Sequence, residues 1–323
     1  MKNWLWKIST VVTATLLTSC AGNTAHKSKE VVQETYIHKY GITVTEEDWD
    51  RRGRDGQIVS TLRDGVTLTR SYSGGNLDGN TTYSFPHSQI IQKTETYNRG
   101  QLVRIVTNFS SGSPMKEESN LNAAQKEVRT WYEQGTPKSV ETWEGKKLLS
   151  GEYFTLDNQT EATIKMGSGT RIQRDAFGQR TSEDEFHDGQ IAKSTTFHLN
   201  GTPKEITPYE NGVIHGMKKL YTPGGEPEAT EQWHQGTQVG LTTLYQNGEK
   251  IAEVPYQNNK KQGTELRFKN GSLVVQEINW RNNSKHGPTK TFFENDTKTT
   301  WFYDGRLVSK IEFEGLSRGE QYR

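Results

Sequence analysis

Hydrophobic and polar residues alternate along this chain in short runs, and the runs are punctuated at a fixed interval. In Thr264-Glu265-Leu266-Arg267-Phe268, the first, third and fifth residues are predicted to share one face and the two charged residues the other. Val254/Tyr256 against Glu253, and Ile278/Trp280 against Glu277 and Asn279, repeat the same period of two. Such alternation predicts antiparallel strands with one solvated face. Helical stripes of comparable quality are absent from the pattern.

The aromatic positions set the interval. Tyr209, Tyr221, Trp233, Tyr245, Tyr256, Phe268, Trp280 and Phe292 are separated by 12 residues, once by 11. Turn residues are locked to them in two forms. The long form is Tyr209/Gly212/Gly216, Trp233/Gly236/Gly240, Tyr256/Asn259/Gly263 and Trp280/Asn283/Gly287. The short form is Tyr221/Gly224, Tyr245/Gly248 and Phe268/Gly271. The unit is therefore about 24 residues, two strands and two turns. Asn211-Gly212, Asn247-Gly248 and Asn270-Gly271 are type I′ hairpin signals, because both central residues need positive φ. Asn259 and Asn283 stand where other repeats have glycine, and asparagine enters the left-handed region readily. Upstream the phase persists at Tyr97/Gly100, Phe109/Gly112, Tyr132/Gly135 and Phe186/Gly189, but residues 113–128 and 157–175 fit poorly and read as insertions. Pro255 must occupy a place where a missing N–H breaks no ladder.

The pattern Tyr-x-x-Gly-x-x-x-Gly followed by Tyr-x-x-Asn-Gly resembles the bacterial variant of the MORN repeat, including YwqK-like proteins. The match is strong over residues 186–305 and weaker over 36–185. The resemblance implies an all-β fold, an elongated antiparallel meander of hairpins forming a single long twisted sheet. It implies no catalytic residues, since its recurrent positions are turn glycines and packing aromatics. Some proteins with this repeat are described as antitoxins, which makes an immunity-like inhibitor an alternative role.

The N-terminus adds an address. MKNWLWK carries two lysines and no acid, and an apolar run from Ile8 to Thr18 follows. That run is the length of a signal-peptide core and too short to span a bilayer, which takes about 20 apolar residues. Cys20 is the only cysteine, and Leu17-Thr18-Ser19-Cys20 resembles the bacterial lipobox. The resemblance implies cleavage after residue 19 and acylation of Cys20. More than one acyl chain anchors stably, whereas one alone is marginal. Ala21 after the cysteine resembles sorting to an outer membrane where the host has one. Four segments follow: a signal peptide at 1–19, the lipidated cysteine and a tether at 20–35, degenerate repeats at 36–185 and regular repeats at 186–323.

Composition agrees with a thin core rather than disorder. Only 30% of residues are hydrophobic, yet the chain has 8 Trp, 13 Tyr, 11 Phe and 31 Gly. Disorder goes with few aromatics and high net charge, and here 40 basic residues meet 39 acidic ones. The same balance argues against a nucleic-acid partner, which calls for a basic surface.

Candidate chemistry is sparse. The eight histidines show no metal-ligand spacing, and His215, His234 and His286 read as solvated. Glu183-Asp184-Glu185 and Glu46-Glu47-Asp48 read as solvated acidic faces, and Ser168 lacks a nucleophile-elbow context. No cofactor, metal or catalytic residue is expected. An exposed aromatic row could bind an extended polymer or peptide, and the residues for it are Trp233, Tyr256 and Trp280. The expected function is a membrane-anchored, non-catalytic scaffold for a protein or envelope polymer. An enzyme acting on envelope polysaccharide is a further alternative.

Overall fold

The computed structural model describes residues 31–321. Leu17, Thr18, Ser19 and Cys20 lie outside the described residues, as does most of the expected tether. The first strand, Val31–His38, begins inside residues 20–35, so the last five of those residues belong to the fold.

A 27-stranded antiparallel sheet accounts for nearly the whole of the described chain. It is an open, elongated meander in which consecutive strands pair, with the two-residue strands Thr43–Val44, Val213–Ile214 and Lys260–Lys261 each paired only to the strand before it. The hairpins continue through the segments that fit the sequence pattern poorly. Pro114–Asn120, Gln125–Trp131, Thr160–Lys165 and Ser168–Arg174 are ordinary strands in the same ladder. The turns at 121–124 and 155–159 lack the glycine that made the later repeats visible.

The register explains the long form. Its second glycine sits opposite the aromatic of the following hairpin: Gly216 pairs with Trp233, Gly240 with Tyr256, Gly263 with Trp280 and Gly287 with Phe302. Upstream, Gly56 pairs with Tyr72, Gly79 with Tyr97 and Gly169 with Phe186. A large ring facing a residue with no side chain compensates for the glycine. Gly263 also has φ of +103°, and a Cβ there would lie 3.4 Å from Pro255 Cγ. Pro255 itself is tolerated because the ladder on that side is interrupted between Glu253 and Tyr256.

The turns along this edge are stitched to one another. The amide of Gly236 donates to Ile214 O at 2.8 Å, and that of Gly305 to Lys285 O at 2.8 Å. Asn259 and Asn283 do the same toward Gln238 and Lys261. Their side chains then add a bond that glycine lacks: Oδ1 of each accepts the backbone N–H of Gln238 or Lys261 at 2.7 Å. Asparagine is thus more than a residue that tolerates positive φ. It links neighbouring hairpins.

Face assignment holds at Val254/Tyr256 and Ile278/Trp280 but inverts at one strand. Glu265 pairs with Ile278 and is 2% exposed, whereas Thr264 is exposed. The partner strand then carries an extra residue, Val275, where Arg267 pairs with Gln276 and Phe268 with Val274, and the Lys250 ammonium lies 4.1 Å from the Phe268 ring centroid. The same device operates at Leu244/Tyr245. Alternation is correct there, but hydropathy selects the wrong phase.

Two helices finish the sheet. Glu46–Arg51 starts at Thr45, whose hydroxyl accepts the Asp48 N–H at 3.2 Å. Glu46, Glu47 and Asp48 form its first turn, where negative charge suits the helix dipole. Its Trp49 is buried, with ring centroids 5.9 Å from Tyr36 and 6.1 Å from Tyr72. At the other end, Lys310–Gln321 presents Phe313 to Trp301 at 5.1 Å and to His286 at 5.3 Å. Phe313 thus packs from the helix onto the last aromatics of the sheet.

Candidate binding cavity

One cross-strand row runs along the closed face of the sheet. It passes from Arg70 through Thr81, Glu95, Ile105, Glu118, Val128, Glu141 and Gly151 to Ile164. Many of its members are polar, and each acid finds a donor nearby. Trp143 Nε1–H donates to Glu141 Oε2 at 2.9 Å, and Tyr153 Oη–H donates to Glu141 Oε1 at 2.9 Å. Tyr97 donates to Glu95 at 3.0 Å, Trp233 to Glu231 at 2.9 Å and Trp280 to Glu265 at 2.9 Å. At Glu95, Glu141 and Glu231 the acid stands two residues before the aromatic whose polar hydrogen it receives, whereas Glu265 receives that of Trp280 across the strands. Burial, with Glu95 beside them, pushes the hydroxyls of Tyr83 and Tyr97 up to about 12.

Asp184 belongs to this face as well. It is 2% exposed, accepts from Arg171 Nε at 3.0 Å and also accepts the Ser194 hydroxyl. The reading of residues 183–185 as solvated therefore fails at its middle residue, because Arg171 neutralises the carboxylate inside the sheet.

A recess opens where the row passes Glu141. It has a volume of about 500 Å³ and is lined from Phe109 to Ala176 by five strands and the turns beside them. The elsewhere regular spacing of turns shortens here. Gly112, Gly135 and Asn158 follow at 23-residue steps, but Gly178 comes after only 20. Phe109, Met115, Val128, Trp131 and Ile172 supply apolar wall. Tyr132 and Tyr153 are each 1% exposed. Tyr132 Oη–H donates to Phe154 O at 3.0 Å. Burial, then the Glu141 carboxylate, drives the Tyr153 hydroxyl far above its ordinary range.

The charges of the recess are mostly matched within the protein. Arg174 holds Glu161 through two bonds of 2.7 and 2.6 Å, Arg171 holds Asp184, and Lys116 lies 2.6 Å from Glu118. Lys116 also keeps Glu118 below the usual carboxylate range. Lys138 is the exception among the cations. Among the described residues no carboxylate lies within ion-pair distance of it, and its ammonium sits 5.6 Å from the Tyr132 ring centroid. Burial lowers its pKa. An apolar hollow with one unmatched cation is suited to noncovalent binding.

The sequence-predicted binding residues fall elsewhere. Trp233, Tyr256 and Trp280 form a column near one edge of the sheet, each opposite a glycine. They are half-buried, the indole N–H groups of Trp233 and Trp280 are taken up by Glu231 and Glu265, and Lys261 lies 4.6 Å over the Trp280 ring. Of the repeat's recurrent turn positions, Gly212, Gly236, Asn259 and Asn283 lie in turns, whereas Gly216, Gly240, Gly263 and Gly287 lie in strands; all eight have positive φ. Among the histidines, the His215 and His234 rings are 4.9 Å apart, with His215 Nδ1 3.1 Å from Glu210. The His286 side chain is only 14% exposed, packed against Tyr303 and Phe313, so it is not the solvated residue expected. His187 and His198 lie at opposite ends of adjacent strands. Among the described residues no three His, Cys, Asp or Glu side chains are grouped to hold a metal.

Sequence reasoning missed Lys138, Glu141, Tyr153, Arg171 and Arg174. The signal was present: Glu95, Glu118, Glu141 and Ile164 recur at 23-residue steps through the segments read as insertions.

No family model matches the chain, and no curated protein matches it. Among solved structures, the crystal structure of TcdB2-TccC3-TEV is similar over 87% of this chain at 10% identity and a TM-score of 0.21. The chain spans only 21% of that one. BamB from Moraxella catarrhalis is similar at 9% identity over 79% of this chain and 81% of its own, with a TM-score of 0.15. Neither likeness is close enough to bear on function.

Proposed function

We propose that this protein is a lipid-anchored, non-catalytic repeat protein of a bacterial envelope that binds or scaffolds a protein or envelope polymer. The observation that carries the reading is the single open meander, in which successive hairpins add surface rather than depth. Its closed face is filled by matched acid–aromatic and acid–base pairs, which serve cohesion. The lipobox-like Leu17-Thr18-Ser19-Cys20 supports the anchor. Among the described residues no helix is long and apolar enough to cross a membrane; attachment in this reading rests on Cys20 alone.

Two measurements test this. Cys20→Ser should abolish acyl labelling and release the protein from membranes, and retention of the variant refutes the anchor. Cross-linking in intact cells followed by mass spectrometry should recover a consistent envelope partner. Recovery of none removes the scaffold role.

A further inference from the structure

The recess between Phe109 and Ala176 combines a ligand-sized volume, apolar walls and one cation without a counter-charge. Ligand sites of about 300–1,000 Å³ with mainly apolar lining and a few fixed polar groups are the usual case, and this recess has about 500 Å³. We propose that it binds a small apolar carboxylate, with the Lys138 ammonium taking the carboxylate and the Trp131–Met115 side of the hollow taking the apolar body.

Charge accounting selects an anion. Arg171, Arg174 and Lys116 are each committed to a carboxylate of this chain. Glu141 is occupied by Trp143 and Tyr153. Glu133 also lines the recess but is exposed in a turn, where water solvates it. Lys138 alone is a half-buried cation without an ion-pair partner among the described residues: its ammonium has the Tyr132 ring beside it. The nearest carboxylate influence, from Asp175, acts at longer range, while Asp175 itself accepts the Phe177 and Gln179 N–H groups. A partly desolvated ammonium is costly without a partner, as its lowered pKa records. A carboxylate placed against it supplies a charge-assisted hydrogen bond in a site of reduced dielectric. The inference does not depend on lipidation or on an envelope partner, and its test uses the soluble chain.

The test is calorimetric titration of the protein with 2-naphthoate and octanoate, beside the neutral 2-naphthamide. At least one acid should bind in the micromolar to millimolar range, and the amide should bind roughly tenfold or more weakly than 2-naphthoate, the ratio that loss of a charge-assisted bond gives. Preference for naphthoate assigns an aryl body and preference for octanoate an alkyl one. Lys138→Met keeps the stem of the side chain and should abolish the acid's advantage while leaving amide binding unchanged. Met115→Trp, at the exposed rim, should block every ligand. Circular dichroism on both variants establishes that they fold. Equal binding of acid and amide, undiminished acid binding by folded Lys138→Met, or no binding by any of the three compounds overturns the proposal.

Discussion

Gly151 and Tyr153 provide a decisive test of how the recess is built. Gly151 lies between Glu141 and Ile164 in the cross-strand row. A Cβ there would fall 2.5 Å from Tyr153 Oη, 2.9 Å from Cζ and 3.0 Å from Cε2. The ring is buried and cannot swing into solvent without losing its bond to Glu141. Gly151→Ala should therefore cost about 1–3 kcal/mol for overpacking, plus roughly 1–3 kcal/mol for a buried donor left unmatched. Tyr153→Leu removes the atoms that clash and should itself cost about 2–3 kcal/mol. In that background the sign of the first change reverses. Alanine then meets open space, and its lower chain entropy in a strand should stabilise by about 0.5–1 kcal/mol. Urea denaturation of the four proteins gives the cycle, with hydrogen exchange in 147–154 locating the effect. An equal cost for Gly151→Ala in both backgrounds refutes the packing assignment.

The buried ion pair makes a parallel case. Asp184→Leu should cost about 3–5 kcal/mol by stranding Arg171, and the double variant with Arg171→Met should recover most of it; a double variant as unstable as the single one contradicts the assignment. Trp280→Phe removes the indole donor from Glu265, and about 1.5–3 kcal/mol should be lost, whereas a change under about 0.5 kcal/mol on urea denaturation shows the bond to be dispensable. The C-terminal helix should respond to acid. Arg281 first, then Tyr303, hold the Glu320 carboxyl down from 4.5 to about 2. Its contribution is complete above pH 4.5 and is lost as the pH falls toward 2, so hydrogen exchange in 310–321 should accelerate across that window before the sheet opens. Glu320→Gln should remove the transition, and its persistence contradicts the assignment.

How much of this was legible in sequence follows from what each signal measures. Turn glycines and spaced aromatics report backbone conformation directly, so the strands around Trp233, Tyr256 and Trp280 were placed well. Hydropathy reports only the average fate of a residue type. It therefore put Asp184 and Glu265 in water, although Arg171, Trp280 and Arg267 satisfy them inside. The bulge at Val275, opposite Arg267 and Phe268, shifts the pairing by one residue without changing composition, which no alternation count detects. Both helices escaped for a similar reason, since each is secured by one aromatic rather than by a stripe. The recess was hidden because the glycine-free turns at 121–124 and 155–159 break the repeat's signal around its walls, while Lys138 has no sequence mark at all.

The two helices have a consequence for length. Trp49 and Phe313 close the terminal aromatic rows, and every intervening hairpin is bonded to its neighbours in the same way. Nothing in the ends depends on how many hairpins lie between them. The 24 strands of the main ladder, at about 4.8 Å each, make a contour of about 110 Å, and each hairpin gained or lost changes it by about 10 Å. The molecule is in effect a gauge with finished ends. Its reach can be reset by duplication or deletion of one 23- or 24-residue unit while the helix at each end stays as it is.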